Sequence, residues 1–515
     1  MLLGLFRRLL LAVGRPWLVA AGLAAMFGLA AWQSADFRVV DADVFWLAAA
    51  GRDMVLHHAM PHVNGYSFAD GSRPWVLHEG LFALYMFSGI RSLGPAFFAL
   101  HGLLAGAVTA SLAAAWLVWR SRSPAACCLA GVVLFSSAPA FFYPRPLYAS
   151  LSLAVAMIML VFRPGWSLGR GMLVLLLELV WTNAHGSFGL GVALVAAGAL
   201  DDGRSRRERR AWLLTALGAG FVTLVNPYGL ALHGLVGRYL HAADPMAEVI
   251  QTHIMSFFSL PASVLAGNFD RRAIASLALI GAVALRDVVR RRRVARALVA
   301  LVGVGMAVYQ VRHIVLAIVL GVLLLHGAAD DLVGRTRPGP RLRRAVWTAA
   351  FVVLPGLLAG TVKWGRAFAE RAPVAWIDAG QLGGEPFLRL IDALPDGARV
   401  FAPFKPSSLV IWYEAPRGVK VLYDARNDCY SAAVAKGALE LDWPHRPRTT
   451  DGAVDRRVAN FLEAHGTEYV LTWKGVILDD LSHDARWETV RRDGPWTELR
   501  QRRQPGANAG RPSAP

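Results

Sequence analysis

The chain has 515 residues, 55% of them hydrophobic and only 17% charged, with a formal net charge of +18. That composition is too apolar for an ordinary soluble protein and points to a multi-span membrane chain with one small soluble domain. The excess charge does not indicate nucleic-acid binding, because it lies in short loops between apolar runs, at Arg204–Arg210, Arg286–Arg296 and Arg335–Arg344. Such loops are what the positive-inside bias produces, and they also meet anionic lipid.

Taken in order, the chain begins with Arg7 and Arg8 before an apolar run. That run, Pro16 to Trp32, is longer than a signal-peptide core and reads as an uncleaved first span. About eleven spans are expected, with cores near 16–32, 96–119, 124–142, 147–163, 171–183, 187–200, 211–225, 273–286, 297–310, 313–328 and 345–362. Each approaches the roughly 20 residues that cross a bilayer core. An N-terminus placed inside puts all three dense arginine loops inside, and everything after about 363 outside. The domain reading is therefore a transmembrane domain over 1–363, with its first outer loop at 33–95, then an extracytoplasmic α/β domain at 364–502 and a disordered tail at 503–515.

The first outer loop gathers most of the polar chemistry. Asp43 to His58 reads as an amphipathic helix lying in the membrane interface. Val44, Phe45, Leu47, Ala48, Met54 and Val55 are expected toward lipid, and Arg52 and Asp53 toward water. His78 to Arg91 reads as a second such helix, and Ile254 to Leu265 as a further interfacial segment. Two turns fall at the outer ends of spans, Asn183-Ala184-His185-Gly186 and Asn226-Pro227-Tyr228-Gly229. Irregular backbone near membrane depth needs a protein or aqueous cavity, so both suggest a cavity open to the outside.

From about Lys363 the pattern changes. Leu388 to Leu394 and Val454 to Ala464 read as helices. Arg399–Phe401, Leu409–Trp412, Val419–Tyr423, Glu468–Trp473, Trp487–Val490 and Trp496–Arg500 read as strands.

Asp41 and Asp43, two apart after the first span, are candidate general bases at the outer face; the bland alternative is a helix cap. His78 and Glu79 can hold a sugar or a metal, or cap a helix. Arg145, His185, Arg312 and His313 lie at outer ends of spans, where a charge at depth favours a partner such as a phosphate, against simple snorkelling. Glu178, inside an apolar run, is expected to pair internally. The Asp424–Asp428 turn follows a strand and can be a simple connection. The three cysteines form no disulfide or zinc framework. No P-loop, GxSxG or HExxH occurs, and no cofactor is required by the sequence, though a divalent cation stays open.

Six stretches in order carry a resemblance: DADVFWLAAAG, PHVNGYSFADGSRPWVLHEGL, WTNAHGSFGLG, LVNPYG, VRHIVLAIV and KVLYDARNDCY. Through them the chain resembles the GT-C class of integral membrane glycosyltransferases, in particular bacterial members related to the mannosyl and arabinosyl transferases that use polyprenyl-phosphate sugars. The resemblance implies eleven or more spans in the bacterial inner membrane, a cytoplasmic N-terminus and a periplasmic C-terminal domain. It also implies a polyprenyl-phosphate-linked sugar as donor, membrane lipid as surroundings and an extracytoplasmic acceptor. It places the catalytic acid at Asp41 or Asp43, and sets His78 and Glu79 where such proteins carry a His-Glu pair; the candidate substrate-binding residues read from the chain itself are His78, Glu79, Arg145, Asn183, His185, Asn226, Arg312 and His313. Gly80 stands where such proteins carry a tryptophan after the His-Glu pair. The rival readings are a carrier or flippase for lipid-linked glycans and an envelope assembly protein.

Overall fold

The computed structural model describes residues 41–94, 96–120, 124–135, 146–240, 244–267, 270–333, 377–442, 456–473 and 475–502. The expected spans at 16–32 and 345–362, the tail and Arg145 lie outside these residues. The described chain divides into two compact units, one of residues 78–240 and 254–333, the other of residues 41–77, 244–253 and 377–502.

The first unit is helical. The expected spans between 96 and 328 overlap described helices, from Ala96–Arg120 to Ile314–Val333, with 136–142 of the third outside the described residues. Ile314–Val333 is its central element, packed against Pro124–Phe135, Pro146–Val161, Arg271–Val289 and Val294–Tyr309. Among the described residues one helix, Val311–Asp331, is long and apolar enough to cross a membrane alone. Gly80–Leu93, Ala149–Val161, Gly189–Ala199 and Val294–Tyr309 are apolar but shorter. The count of eleven spans is therefore an expectation, because most of these helices fall below the crossing length of roughly 20 residues.

The arginine loops also do local structural work. The helix Arg206–Val222 starts with a capping box, in which Ser205 Oγ accepts from the Glu208 amide and the Glu208 carboxylate accepts from the Ser205 amide. Arg296 grips Asp201 through two bonds of 2.7 and 2.6 Å, and Arg293 bonds both oxygens of the buried Asp287. Buried carboxylates need such partners. Glu178 lacks one: it is fully buried, and neither of its oxygens has a hydrogen-bond partner among the described residues. It packs against Gly191, where any side chain would collide with it. The internal pairing expected for Glu178 is thus absent there.

The second unit is α/β. Its five strands run β1 (Arg399–Phe401), β2 (Lys420–Val421), β3 (Tyr469–Trp473), β4 (Trp487–Asp493) and β5 (Trp496–Gln501), in the order β2-β1-β3-β5-β4. β1 is parallel to both its neighbours; β3, β5 and β4 are antiparallel. The β4–β5 turn places Gly494 at φ +55°, a conformation glycine adopts without a side-chain clash. Leu409–Trp412, expected as a strand, is instead helical within Ser407–Glu414. A short apolar run does not distinguish the two, and here Leu409, Val410 and Ile411 are buried together.

Residues 41–77, expected in the transmembrane domain as its outer loop, belong to this α/β unit. Tyr66 O accepts from the Val421 amide at 2.9 Å and the Phe68 amide donates to Val421 O at 3.2 Å, so the segment extends the sheet beyond β2. The helix Asp43–His57 forms as expected, but it packs against Ser407–Glu414 rather than presenting its apolar face to lipid. Val44, Phe45, Leu47 and Ala48 are fully buried. Arg52, expected toward water, donates to Trp412 O at 2.7 Å, and Asp53 accepts from the Tyr66 hydroxyl at 2.6 Å. The Ile254–Leu265 segment is broken in two, a 3-10 turn Met255–Phe257 and the helix Leu260–Leu265 capped by Ser259.

Candidate functional site

In the helical unit, polar side chains converge on Glu79. This residue precedes the helix Gly80–Leu93, and its main-chain carbonyl accepts from the Ala83 amide. Its carboxylate makes no cap bond to that helix. The carboxylate faces two imidazoles instead, with His78 Nε2 at 3.3 Å and His185 Nε2 at 3.8 Å from the same oxygen, Oε1. The Glu79 side chain is 10% exposed and that of His185 8%, whereas His78 keeps 22%. Burial pushes the Glu79 carboxyl up, but His78, His185 and Arg312 together hold it below its ordinary value. Burial pushes the His185 imidazole down to about 3, so it is neutral at physiological pH.

The backbone explains the convergence. The helix Leu168–Ala184 ends at His185, which leaves it in extended conformation with its amide bonded to Trp181 O. Gly186 follows, and a side chain there would press on the His78 ring, 3.1 Å from its nearest atom. The turn therefore closes directly over His78. Behind His185, Nδ1 lies 2.9 Å from Ser150 Oγ and 2.8 Å from Ser187 Oγ, and accepts from the Ser187 amide at 3.3 Å. The Trp181 indole donates to Ser150 Oγ at 2.8 Å. Arg312 sits in the 3-10 turn Val311–His313, with its guanidinium 4.4 Å from the Phe257 ring centre. His313 Nδ1, in the same turn, is buried with no hydrogen-bond partner among the described residues.

The other candidate residues are placed differently. Asn183 donates to Leu179 O at 2.9 Å and Val225 O at 3.0 Å. Asn226 donates to Thr223 O and Gly229 O and accepts from the Tyr228 amide. Both amides thus hold the chain's own turns. Asp41 and Asp43 lie in the α/β unit at the start of the helix Asp43–His57. Asp41 is buried and accepts from the Asp43 amide at 3.0 Å; Asp43, partly exposed, accepts from the Trp46 indole at 3.1 Å. The structure therefore brings together His78, Glu79, His185, Arg312 and His313, five of the residues singled out by sequence. Ser150, Trp181 and Ser187 were missed. Ser187 follows His185 by two residues and is recognisable as a local partner; Ser150 is 35 positions away and left no signal.

The α/β unit has its own buried centre, at the Asp424–Asp428 turn. Arg426 bonds both oxygens of Asp424, at 2.9 and 2.6 Å, and Asn64 Oδ1 at 2.6 Å. Its guanidinium lies 4.6 Å from the Trp75 ring centre and 4.9 Å from that of Tyr66. The Tyr430 hydroxyl donates to Asp424. Asp70 accepts from both the amide and the hydroxyl of Ser431. This turn is not a simple connection: it ties residues 64–75 to the C-terminal sheet. No set of three or more metal-binding side chains occurs among the described residues.

No protein-family model and no curated protein matches the chain. Among solved structures, it is similar to the crystal structure of the Archaeoglobus fulgidus oligosaccharyltransferase tethered through a disulfide to an acceptor peptide containing the NVT sequon. The TM-score is 0.44 and the identity 11%, over 90% of this chain and 69% of that one. A likeness of this size is coarse and assigns no residue or reaction.

Proposed function

We propose that the chain is an integral membrane glycosyltransferase that moves a sugar from a polyprenyl-phosphate-linked donor to an extracytoplasmic acceptor, in the bacterial inner membrane. The observation that carries this reading is the Glu79 centre: a buried, ionised carboxylate between two imidazoles, beside an arginine, in a largely apolar helical unit. A buried ionised group is costly unless something compensates it, so such a centre favours a polar ligand. The six-stretch resemblance gives the reaction class.

In this reading the acceptor hydroxyl attacks the anomeric carbon. Its proton passes to a carboxylate, the new glycosidic bond forms, and the bond to the lipid phosphate breaks. A single displacement inverts the anomeric centre. The phosphate, a good leaving group, needs little acid assistance, and Arg312 and Arg145 are proposed to meet its charge. Asp43, or Asp41, is proposed as the base on the resemblance alone; partial exposure favours Asp43. Asn183 and Asn226 hold the turns that shape the outer ends of their helices.

Transfer from radiolabelled polyprenyl-phosphate sugars by the purified protein tests the reading. Asp43→Asn is expected to lower turnover by about a hundredfold or more, the usual scale for general-base removal. Full activity in both Asp41→Asn and Asp43→Asn would remove these residues from the mechanism. A carrier of lipid-linked glycans also needs a polar cavity and arginine at depth but does not need the ionised acid at Asp41 or Asp43, and would move lipid in vesicles without transferring sugar.

A further inference from the structure

Resting on that reading, we propose that the Glu79 centre recognises the hydroxyl groups of the sugar and not the phosphate, and that Ser150, Trp181 and Ser187 are positioning residues that lock His185 in the tautomer this requires. One atom at His185 has a fixed role. A backbone amide only donates, and the Ser187 amide points at His185 Nδ1. Nδ1 is therefore the acceptor nitrogen. Neutral imidazole carries one N–H, so it sits on Nε2, the nitrogen that faces Glu79 at 3.8 Å.

The neighbours support the same polarity. The Trp181 indole donates to Ser150 Oγ at 2.8 Å, which leaves the Ser150 hydroxyl proton for Nδ1 at 2.9 Å or for Ser187 Oγ at 2.8 Å, whose own hydroxyl then reaches Nδ1 at 2.8 Å. Hydrogen-bond donation thus runs in one direction, from Trp181 through the serines to His185 Nδ1, and the Nε2–H faces the Glu79 carboxylate at 3.8 Å, longer than a hydrogen bond. His185 has one donor and it is aimed at Glu79, so it has none for a phosphate. The same tautomer keeps Nε2 from binding a metal. Glu79 itself is anionic and repels a phosphate, but it accepts hydrogen bonds from hydroxyl groups. A carboxylate with spare acceptor capacity suits a neutral, hydroxyl-rich head.

Binding by the full chain in lipid nanodiscs separates these possibilities. The probes are undecaprenyl phosphate and a panel of undecaprenyl-phosphate-linked hexoses and pentoses, read by native mass spectrometry. We expect Glu79→Gln to weaken the preferred sugar-bearing lipid by about tenfold, the scale of one charge-assisted hydrogen bond, and to leave the bare phosphate within about twofold. His185→Phe should behave like Glu79→Gln, whereas His185→Gln, whose amide nitrogen replaces Nε2, should recover binding and His185→Asn should not. Histidine 15N spectra should show His185 as the Nε2–H form, with a new Nδ1–H population in Ser150→Ala. If Glu79→Gln tightens the bare phosphate, or weakens both lipids equally, the phosphate occupies this centre and the inference fails while the transfer reading stands. A His185 signal of the Nδ1–H form in the unaltered protein also overturns it. Should the unaltered protein bind none of the lipids, the transfer reading falls and takes the inference with it.

Discussion

Each of the two units buries a charged cluster, and the clusters are built differently. In the α/β unit, Arg426 and Asp424 meet through two bonds of 2.9 Å or less, with Asn64, Tyr430 and two aromatic rings around them. In the helical unit, Glu79 meets its imidazoles at 3.3 and 3.8 Å, and His78 stays partly open to solvent. Short, doubled contacts fix a fold. Longer contacts, one of them to a neutral, single-donor ring, leave acceptor capacity for a ligand. The first cluster reads as a structural tie and the second as a binding centre.

The comparison breaks most readily at the tie. Asp424→Asn leaves a buried guanidinium without its counter-charge, and we expect a loss of about 3–5 kcal/mol in unfolding experiments. Limited proteolysis should then cut within 41–77 and 377–502 before the helical unit. Phe45→Ala comes next, at about 3–4 kcal/mol, because Phe45 is fully buried in protein. An interfacial helix would show almost no loss, so this variant also tests the assignment of Asp43–His57 to a core.

The binding centre should respond to pH instead. His185 takes its proton at about 6.5 when unfolded and at about 3 when folded. Below 6.5 the unfolded chain therefore binds a proton that the folded chain refuses, and acid destabilises the fold. Acidification from about pH 7.5 to about pH 5 should cost about 2 kcal/mol through this imidazole, and His185→Gln should remove that share of the slope. Glu79 acts in the same direction, but only below its ordinary value of 4.5, because its folded form is depressed. The smallest expected effect is Asp70→Ala, at about 1–2 kcal/mol for the two bonds to Ser431, measured by thermal unfolding.

Local patterns in the sequence were read well. The helix Asp43–His57, the strands β3, β4 and β5, and the change of character near the C-terminal domain follow from periodicity and turn residues. What the apolar face of Asp43–His57 touches was misjudged, since a helix buried in protein and one lying on lipid share the same pattern. The sheet extension by Tyr66 and Phe68 was invisible, because its partner Val421 lies more than 350 residues away and carries no local mark. At the site, His78, Glu79, His185, Arg312 and His313 stood out as polar groups in apolar surroundings. Their convergence depended on the turn at Gly186. The hydroxyls behind His185 were overlooked, because serines in apolar helices seldom signal more than packing.

A structure of the full chain with a polyprenyl-phosphate-linked sugar bound tests the central claim most directly. The account predicts the sugar in the helical unit, with a hydroxyl within hydrogen-bonding distance of the Glu79 carboxylate and the phosphate clear of His185. A phosphate seated on His78 and His185, or a ligand bound away from Glu79 altogether, would contradict it.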